Sequence, residues 1–315
     1  MKRPAANLLN RVLDQYFSSF DSTLALTSDL IRDRKHPNEV LILLCARIDA
    51  LASDAAAEGT PSKQAFVHFI RAYSGEQDLF DSVSIGDLHY ELAYHQWLLE
   101  GTIPQPGRLH RFSRVDDPII QLLEDAGLPL TLDDSGALLD TLMRIIKHEF
   151  HAVPRQSLSK PRLATIARIS EVITTNAVRT RLKKIADNLP KALSLLLESK
   201  RVATILYEKF RSGSIHGAKV IIDPHRFFAE KGAYWEHLYS EHYGSFEVIG
   251  FSAQFLRSLL DRCIVTYHAH LLAKGKLPPD VLFHVFGDDI LSEVEFLDET
   301  LLPLGGQVRF RIGGR

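Results

Sequence analysis

Apolar residues recur along most of this chain at a helical period. Leu8, Leu9, Val12, Leu13, Tyr16, Phe17 and Phe20 fall at i, i+3, i+4 spacing and line one face of a first helix. The run PNEVLILLCARIDALASDAAAEG predicts a second over 37–59: Asn38 can cap it, Val40 to Leu51 is too apolar to face water, and Gly59 can end it. Thr60 as cap, Pro61 at the first position and Gly75 beyond the end predict a third. Ser84 and Asp87 form a capping-box pattern opening a further helix that stops before Gly101.

Residues 101–113 carry two prolines and two glycines and read as a connector. Amphipathic helices are predicted at 116–126 and 135–150, then at 161–188 and 190–211, with Pro190 the one breaker between the last two. The 190–211 helix is apolar nearly all round, through Leu193, Leu195, Leu196, Leu197, Val202, Ile205, Leu206 and Phe210, and belongs at the centre of a bundle. An irregular aromatic segment follows, then a long helix at 250–274. The tail QVRFRIGGR alternates Val308, Phe310 and Ile312 with Gln307, Arg309 and Arg311, a strand period that needs a hairpin or a partner chain to pair with. The fold class expected is mainly α: one helical bundle over 1–275 with inserted helices at 114–189, then an acidic segment and a short β element over 276–315.

Composition narrows the class. With 315 residues and 45% hydrophobic content, the chain can bury a substantial core. Cys45 and Cys263 are its only cysteines and sit in apolar helical patterns, which argues against a disulfide framework or zinc ribbon and fits a reducing compartment. Asn7, Asn10, Arg11 and Asp14 interrupt the N-terminal stretch before a signal-peptide core can form, and no run approaches the roughly 18 apolar residues of a membrane span. A cytoplasmic, soluble protein without a membrane partner is expected.

Net charge is only −2, so nucleic-acid affinity would need a local patch. Arg155, Lys160, Arg162, Arg168, Arg179, Arg181, Lys183 and Lys184 stand against Glu171 alone over 155–184. Over 277–302 the order reverses, with Asp280, Asp288, Asp289, Glu293, Glu295, Asp298 and Glu299 and no Lys or Arg. These are either solvated faces that can dock on each other, or a basic track for a nucleic-acid backbone and an acidic surface for a protein partner.

Phosphate-loop, dinucleotide and nucleophile-elbow motifs are missing: residues 213–217 read Gly-Ser-Ile-His-Gly. His148, Glu149 and His151 put the second histidine one position short of a zincin, and no third ligand can be nominated. No metal or cofactor is expected.

The stretch FRSGSIHGAKV, 210–220, brings Arg211 and His216 to the end of an apolar helix. A metal-free ribonuclease needs a group of near-neutral pKa to move the 2′-hydroxyl proton and a cation to steady charge growing on phosphate. Gly213 and Gly217 let the backbone leave the helix and come close to a substrate. On an unbroken helix two residues five apart point about 140° from each other, so they converge only if the helix breaks or a second subunit completes the site. The alternative is that Arg and His satisfy the last carbonyls of a helix that glycine ends. The same spacing recurs at Arg144 with His151 and at Arg262 with His268.

LYEKFRSGSIHG resembles the R-x4–6-H signature of the HEPN superfamily of helical nucleotide-binding and ribonuclease proteins. The run VLILLCARIDALAS looks like an early packed helix of such proteins, with Asp49 where an acidic residue often sits. The resemblance implies a helical bundle, usually dimeric, and metal-independent endoribonuclease activity of the toxin, antiviral or RNA-processing kind, though some members are non-catalytic. Carried over, His216 is general acid/base, Arg211 is phosphate ligand, and Ser212 stands where active members favour Asn or another strongly polar residue. Arg179, Arg181, Lys183 and Lys184 are then the candidate RNA track. The aromatic residues of 227–246 can stack on unpaired bases, but a loop packed over a bundle end is the commoner use. The rival from another class is a non-catalytic helical module binding a protein or nucleotide, supported by the acidic segment and the unpaired terminal strand.

Overall fold

The structure is a computed structural model that describes residues 3–102, 142–144, 163–179, 189–212, 223–241 and 244–278. Its elements run α1 (Arg3–Ser18), α2 (Asp21–Asp33), α3 (Pro37–Ala55), α4 (Ser62–Tyr73), α5 (Gln77–Asp81), β1 (Val83–Ser84) and α6 (Ile85–Thr102). They continue with β2 (Leu163–Ala164), α7 (Ile166–Arg179), α8 (Leu189–Ser199), α9 (Val202–Ile205), a π-helical segment (Leu206–Ser212), α10 (Pro224–Ala229), the antiparallel hairpin β3 (Ala233–Ser240) and β4 (Gly244–Phe251), and α11 (Ala253–Lys274). Among the described residues the protein is therefore mostly helical with two small antiparallel sheets. Among the described residues no helix is long and apolar enough to cross a membrane.

The chain divides into two compact units. The first is built from the described residues of Met1–Gln77, Leu206–Gly232 and Ser252–Arg315, the second from those of Asp78–Ile205 and Ala233–Phe251.

In the first unit α3 and α11 form the centre, with α1, α2, α4, α10 and the π-segment packed on one or both of them. Val40, Leu41, Leu44, Cys45, Ile48 and Leu51 of α3 and Leu256, Leu259, Leu260 and Cys263 of α11 are completely buried, as the unbroken apolar run of α3 requires. Each such side chain contributes about 1.5–3 kcal/mol by leaving water. Ser252 caps α11 by accepting from the Phe255 amide at 3.1 Å, and Gly275, in the left-handed region at φ 65°, ends it. At the end of α3 the Tyr16 hydroxyl donates to the Asp54 carboxylate, which ties α1 to α3.

Some boundaries differ from expectation. Pro37 opens α3 after a left-handed His36, so Asn38 lies inside the helix and does not cap it. The cap position of α4 is Pro61, one residue past Thr60. The pattern from Leu8 to Phe20 is followed by α2, separate from α3 because Arg34 and His36 adopt left-handed conformations at φ 52° and 55°.

In the second unit the expected Ser84–Asp87 pattern opens α6 as half a capping box, since the carboxylate takes the serine hydroxyl while the Ser84 amide goes to the Lys200 carbonyl. The Asp87 amide donates to Ser84 Oγ at 3.4 Å, and Ser84 Oγ donates to Asp87 Oδ2 at 2.6 Å. Oδ2 also accepts from the Ile249 amide of β4 at 2.8 Å, which pins the hairpin to the first turn of α6. Gly86 makes that approach possible: a Cβ there would lie 1.6 Å from the Glu247 carbonyl oxygen.

The hairpin corrects the expectation of an irregular aromatic loop over 227–246. Cross-strand pairing from Ala233–Phe251 to Ser240–Gly244 buries Tyr234, Trp235 and Phe246, while Phe227 belongs to α10, which Asp223 caps. Residues 161–188 are not one helix either, since β2 precedes α7 and pairs with β1. The helix expected over 190–211 breaks at Lys200–Arg201. There the Ser84 amide donates to the Lys200 carbonyl at 3.0 Å and the Val202 amide to the Ser82 carbonyl at 2.9 Å, so a ladder partner replaces the helical one. Lys200 pairs with Glu91 at 3.2 Å and Arg201 with Asp81 at 3.1 Å. The helices expected at 116–126 and 135–150 and the terminal strand lie outside the described residues, apart from a helical turn at 142–144.

Candidate functional site

The chain re-enters the first unit at Leu206, and there α-helix gives way to seven residues of π-helix. π-turns are rare and cluster at functional sites; their i→i+5 bonds widen the turn by a residue and change which side chains stand above one another. On this wider turn Arg211 lies over Tyr207, with its Cζ 5.0 Å from the ring centroid.

Arg211 is tied at two further points. Nη2 donates to Asp49 Oδ2 of α3 at 2.6 Å, and Nη1 donates to Tyr207 Oη at 3.3 Å. The two charged side chains are largely covered, with 14% of the arginine and 22% of the aspartate exposed. Burial alone would lower the guanidinium pKa, but the hydrogen bond and charge of Asp49, then Tyr207, raise it, so Arg211 is a fixed cation. Cys45, one turn before Asp49, is fully buried, and burial pushes its thiol up to about 12. It is a packed apolar side chain here, not a nucleophile.

The π-segment is gripped from α4 as well. Tyr207 Oη donates to Ser62 Oγ at 3.2 Å, the Phe66 ring meets the Tyr207 ring edge-on at 5.4 Å, and Lys63 pairs with Glu208. The arrangement is a guanidinium held by a carboxylate and a phenol, with 14% of its side chain left exposed to meet an oxyanion.

Of the residues expected at the site, Arg211 has this defined geometry, Ser212 is the last residue of the π-segment, and His216 lies outside the described residues. Arg179 ends α7, while Arg181, Lys183 and Lys184 lie outside, as does the acidic segment beyond Leu277 and Pro278. Asp49 and Arg211 meet, although nothing in their two distant motifs requires it. Tyr207 lies inside the stretch LYEKFRSGSIHG but at a position to which the R-x4–6-H signature gives no role, and Ser62 belongs to no motif; the only signal is a tyrosine one turn before the arginine on the same helix.

The other described Arg–His spacing has different employment. Arg262 Nε donates to the Ser74 carbonyl at 2.9 Å and closes the C-terminal end of α4, with Nη2 3.5 Å from Glu76. His268 packs against Phe17 with the rings tilted and their centroids 4.9 Å apart, and it approaches Asp14 at 3.5 Å. The α11 helix is unbroken between them, so the two side chains serve separate contacts. Arg144 is exposed, and His151 lies outside the described residues.

Among the described residues no group of three or more His, Cys, Asp or Glu could hold a metal ion. Comparison with protein-family models, with curated proteins and with solved structures finds no match.

Proposed function

We propose that this chain is a HEPN-like endoribonuclease that cuts RNA without a metal and works as a dimer, with Arg211 on the scissile phosphate and His216 moving protons. The observation that carries the reading is the anchoring of Arg211 on Asp49: the arginine that opens the R-x4–6-H pattern is held by the acidic residue of the early packed helix. The unbroken α11 between Arg262 and His268, which keeps their side chains on separate contacts, supports the choice of this pair over that one.

In the reaction the 2′-oxygen attacks phosphorus and the bond to the 5′-oxygen breaks, leaving a 2′,3′-cyclic phosphate and a free 5′-hydroxyl. His216 takes the 2′-hydroxyl proton or returns one to the leaving oxygen, and Arg211 holds the charge that builds on the non-bridging oxygens. Ser212 adds a hydrogen bond, and Arg179, Arg181, Lys183 and Lys184 track the RNA backbone.

Purified protein is incubated with labelled total RNA and tRNA in EDTA, beside His216→Ala and Arg211→Ala. Cutting that survives EDTA, leaves cyclic phosphate ends and disappears in both variants is the expected result. Equal cutting by wild type and His216→Ala overturns the assignment, and RNA or protein binding without cutting by any form favours the non-catalytic interaction module.

A further inference from the structure

We infer that Tyr207 is a positioning residue for Arg211 and that the first turn of α4 holds it in that role through Ser62. The inference rests on Arg211 being the phosphate ligand and goes beyond it by naming the device that aims the guanidinium.

A guanidinium is planar and sits on a long side chain with much rotamer freedom. The contact from Nη2 to Asp49 fixes one corner of the fork and by itself would let the plane swing about it. Tyr207 supplies what that carboxylate lacks. Its ring lies beside the guanidinium, and its hydroxyl accepts from the other terminal nitrogen, Nη1. Two anchored corners and a ring define the plane.

The phenol is in turn contacted from α4. Its proton goes to Ser62 Oγ, its ring rests on Phe66, and the next residue, Glu208, pairs with Lys63. Ser62, Lys63 and Phe66 stand at i, i+1 and i+4 of α4, so one turn of that helix grips two consecutive residues of the π-segment. The hydrogen bonds run in one direction, from guanidinium to phenol to serine, and each donor polarises the next. Because the link passes through the phenol oxygen, Ser62 can affect Arg211 only by way of Tyr207. Loss of the link leaves the positive charge in place, so RNA binding should persist while turnover falls.

The test uses the whole chain labelled with 13C,15N-arginine, with the Arg211 guanidinium signal identified by its loss in Arg211→Lys. Rotation about the Cζ–Nε bond is measured by NMR in wild type, Tyr207→Phe, Ser62→Ala and the double variant. Each single variant should speed rotation about fivefold, the worth of one ordinary hydrogen bond, and the double should match Tyr207→Phe alone. In RNA cleavage the same variants should lower kcat about fivefold with KM unchanged. Tyr207→Phe keeps the packed ring, and thermal melts check that the fold is intact. Unchanged rotation in Tyr207→Phe, or independent multiplying effects of the two substitutions, overturns the inference. If wild-type protein does not cut RNA, the ribonuclease reading falls, and the NMR measurement still decides whether Tyr207 aims Arg211.

Discussion

Arg211 Nη2 and Asp49 Oδ2 lie 2.6 Å apart although 162 positions separate the two residues in the chain. The pair joins the π-segment to the centre of the first unit with both side chains largely covered, where removing one partner leaves the other charge desolvated and unpaired and so costs more than on the surface. Asp49→Ala should therefore destabilise the protein by about 2 kcal/mol and Asp49→Asn by about 1 kcal/mol. In Arg211→Ala the same Asp49 substitutions should matter less, giving a coupling of about 1–2 kcal/mol in urea unfolding. Additive losses would mean the contact carries no stability of its own.

Gly86 offers a sharper steric test in the second unit. Its missing Cβ would meet a backbone oxygen of β4 at 1.6 Å, and that oxygen cannot turn aside as a side chain can. Gly86→Ala should cost about 3 kcal/mol or more and release the hairpin from α6. Gly250→Ala faces the Tyr234 ring at 2.6 Å and should cost less, about 1–2 kcal/mol, since a ring can tilt. Denaturant midpoints that rank the two the other way would contradict the close approach of α6 to β4.

Alkaline stability should fall in a defined window. Burial pushes the Cys45 and Cys263 thiols from 9.0 up to about 12. Burial likewise raises Tyr16, with Asp54 adding to it, and Tyr267, with Tyr73 and Asp54 adding to it, above 10.0. The folded protein keeps these protons where the unfolded chain loses them, so stability is full below about pH 9 and declines as pH rises toward 12 and beyond. Each group contributes about 1.4 kcal/mol per pH unit to the slope. Cys45→Ala should flatten the decline by that amount between about pH 10 and 11.5, read from urea titrations; an unchanged slope would mean the thiol is not protected.

Substitutions at Arg262 and His268 should separate structure from chemistry. Arg262→Ala removes the donor that closes α4 and should lower Tm by several degrees, roughly the effect of 1 kcal/mol. His268→Ala should have a smaller effect of the same kind. Neither should reduce RNA cleavage under conditions where both variants are folded. Loss of cleavage with an intact fold would move the catalytic pair to α11.

The helices that depend on their own residues were the readable ones. The apolar run of α3, the long helix expected at 250–274 and the Ser84–Asp87 pattern of α6 all carry local signals, and each stands near its expected place. Apart from the caps at Asn38 and Thr60, what escaped depends on distant partners. Nothing between Leu193 and Phe210 marks Lys200–Arg201 as a break, because the cause is hydrogen bonding to residues 82–84. Residues 233–240 put aromatics on both faces of β3, which blurs the strand period. At the site, Arg211 and Asp49 each carry a signal of their own, but their contact carries none, and Tyr207 looks like one more apolar position on a buried helix.

The first unit takes its residues from both ends of the described chain, and that has a consequence for how the protein is made. Helices α1 to α4 leave the ribosome early, yet Leu256, Leu260 and Cys263 of α11, which they close upon, are added late. At about 5–20 residues per second the apolar face of α3 waits roughly ten seconds or more for its partner. During that interval it is an uncovered apolar surface, and a holding chaperone should raise the yield. A chain cut short before Ser252 keeps α3 with α2 and α4 but lacks α11, the other large partner of α3, so premature termination should leave an insoluble fragment in place of a smaller folded one.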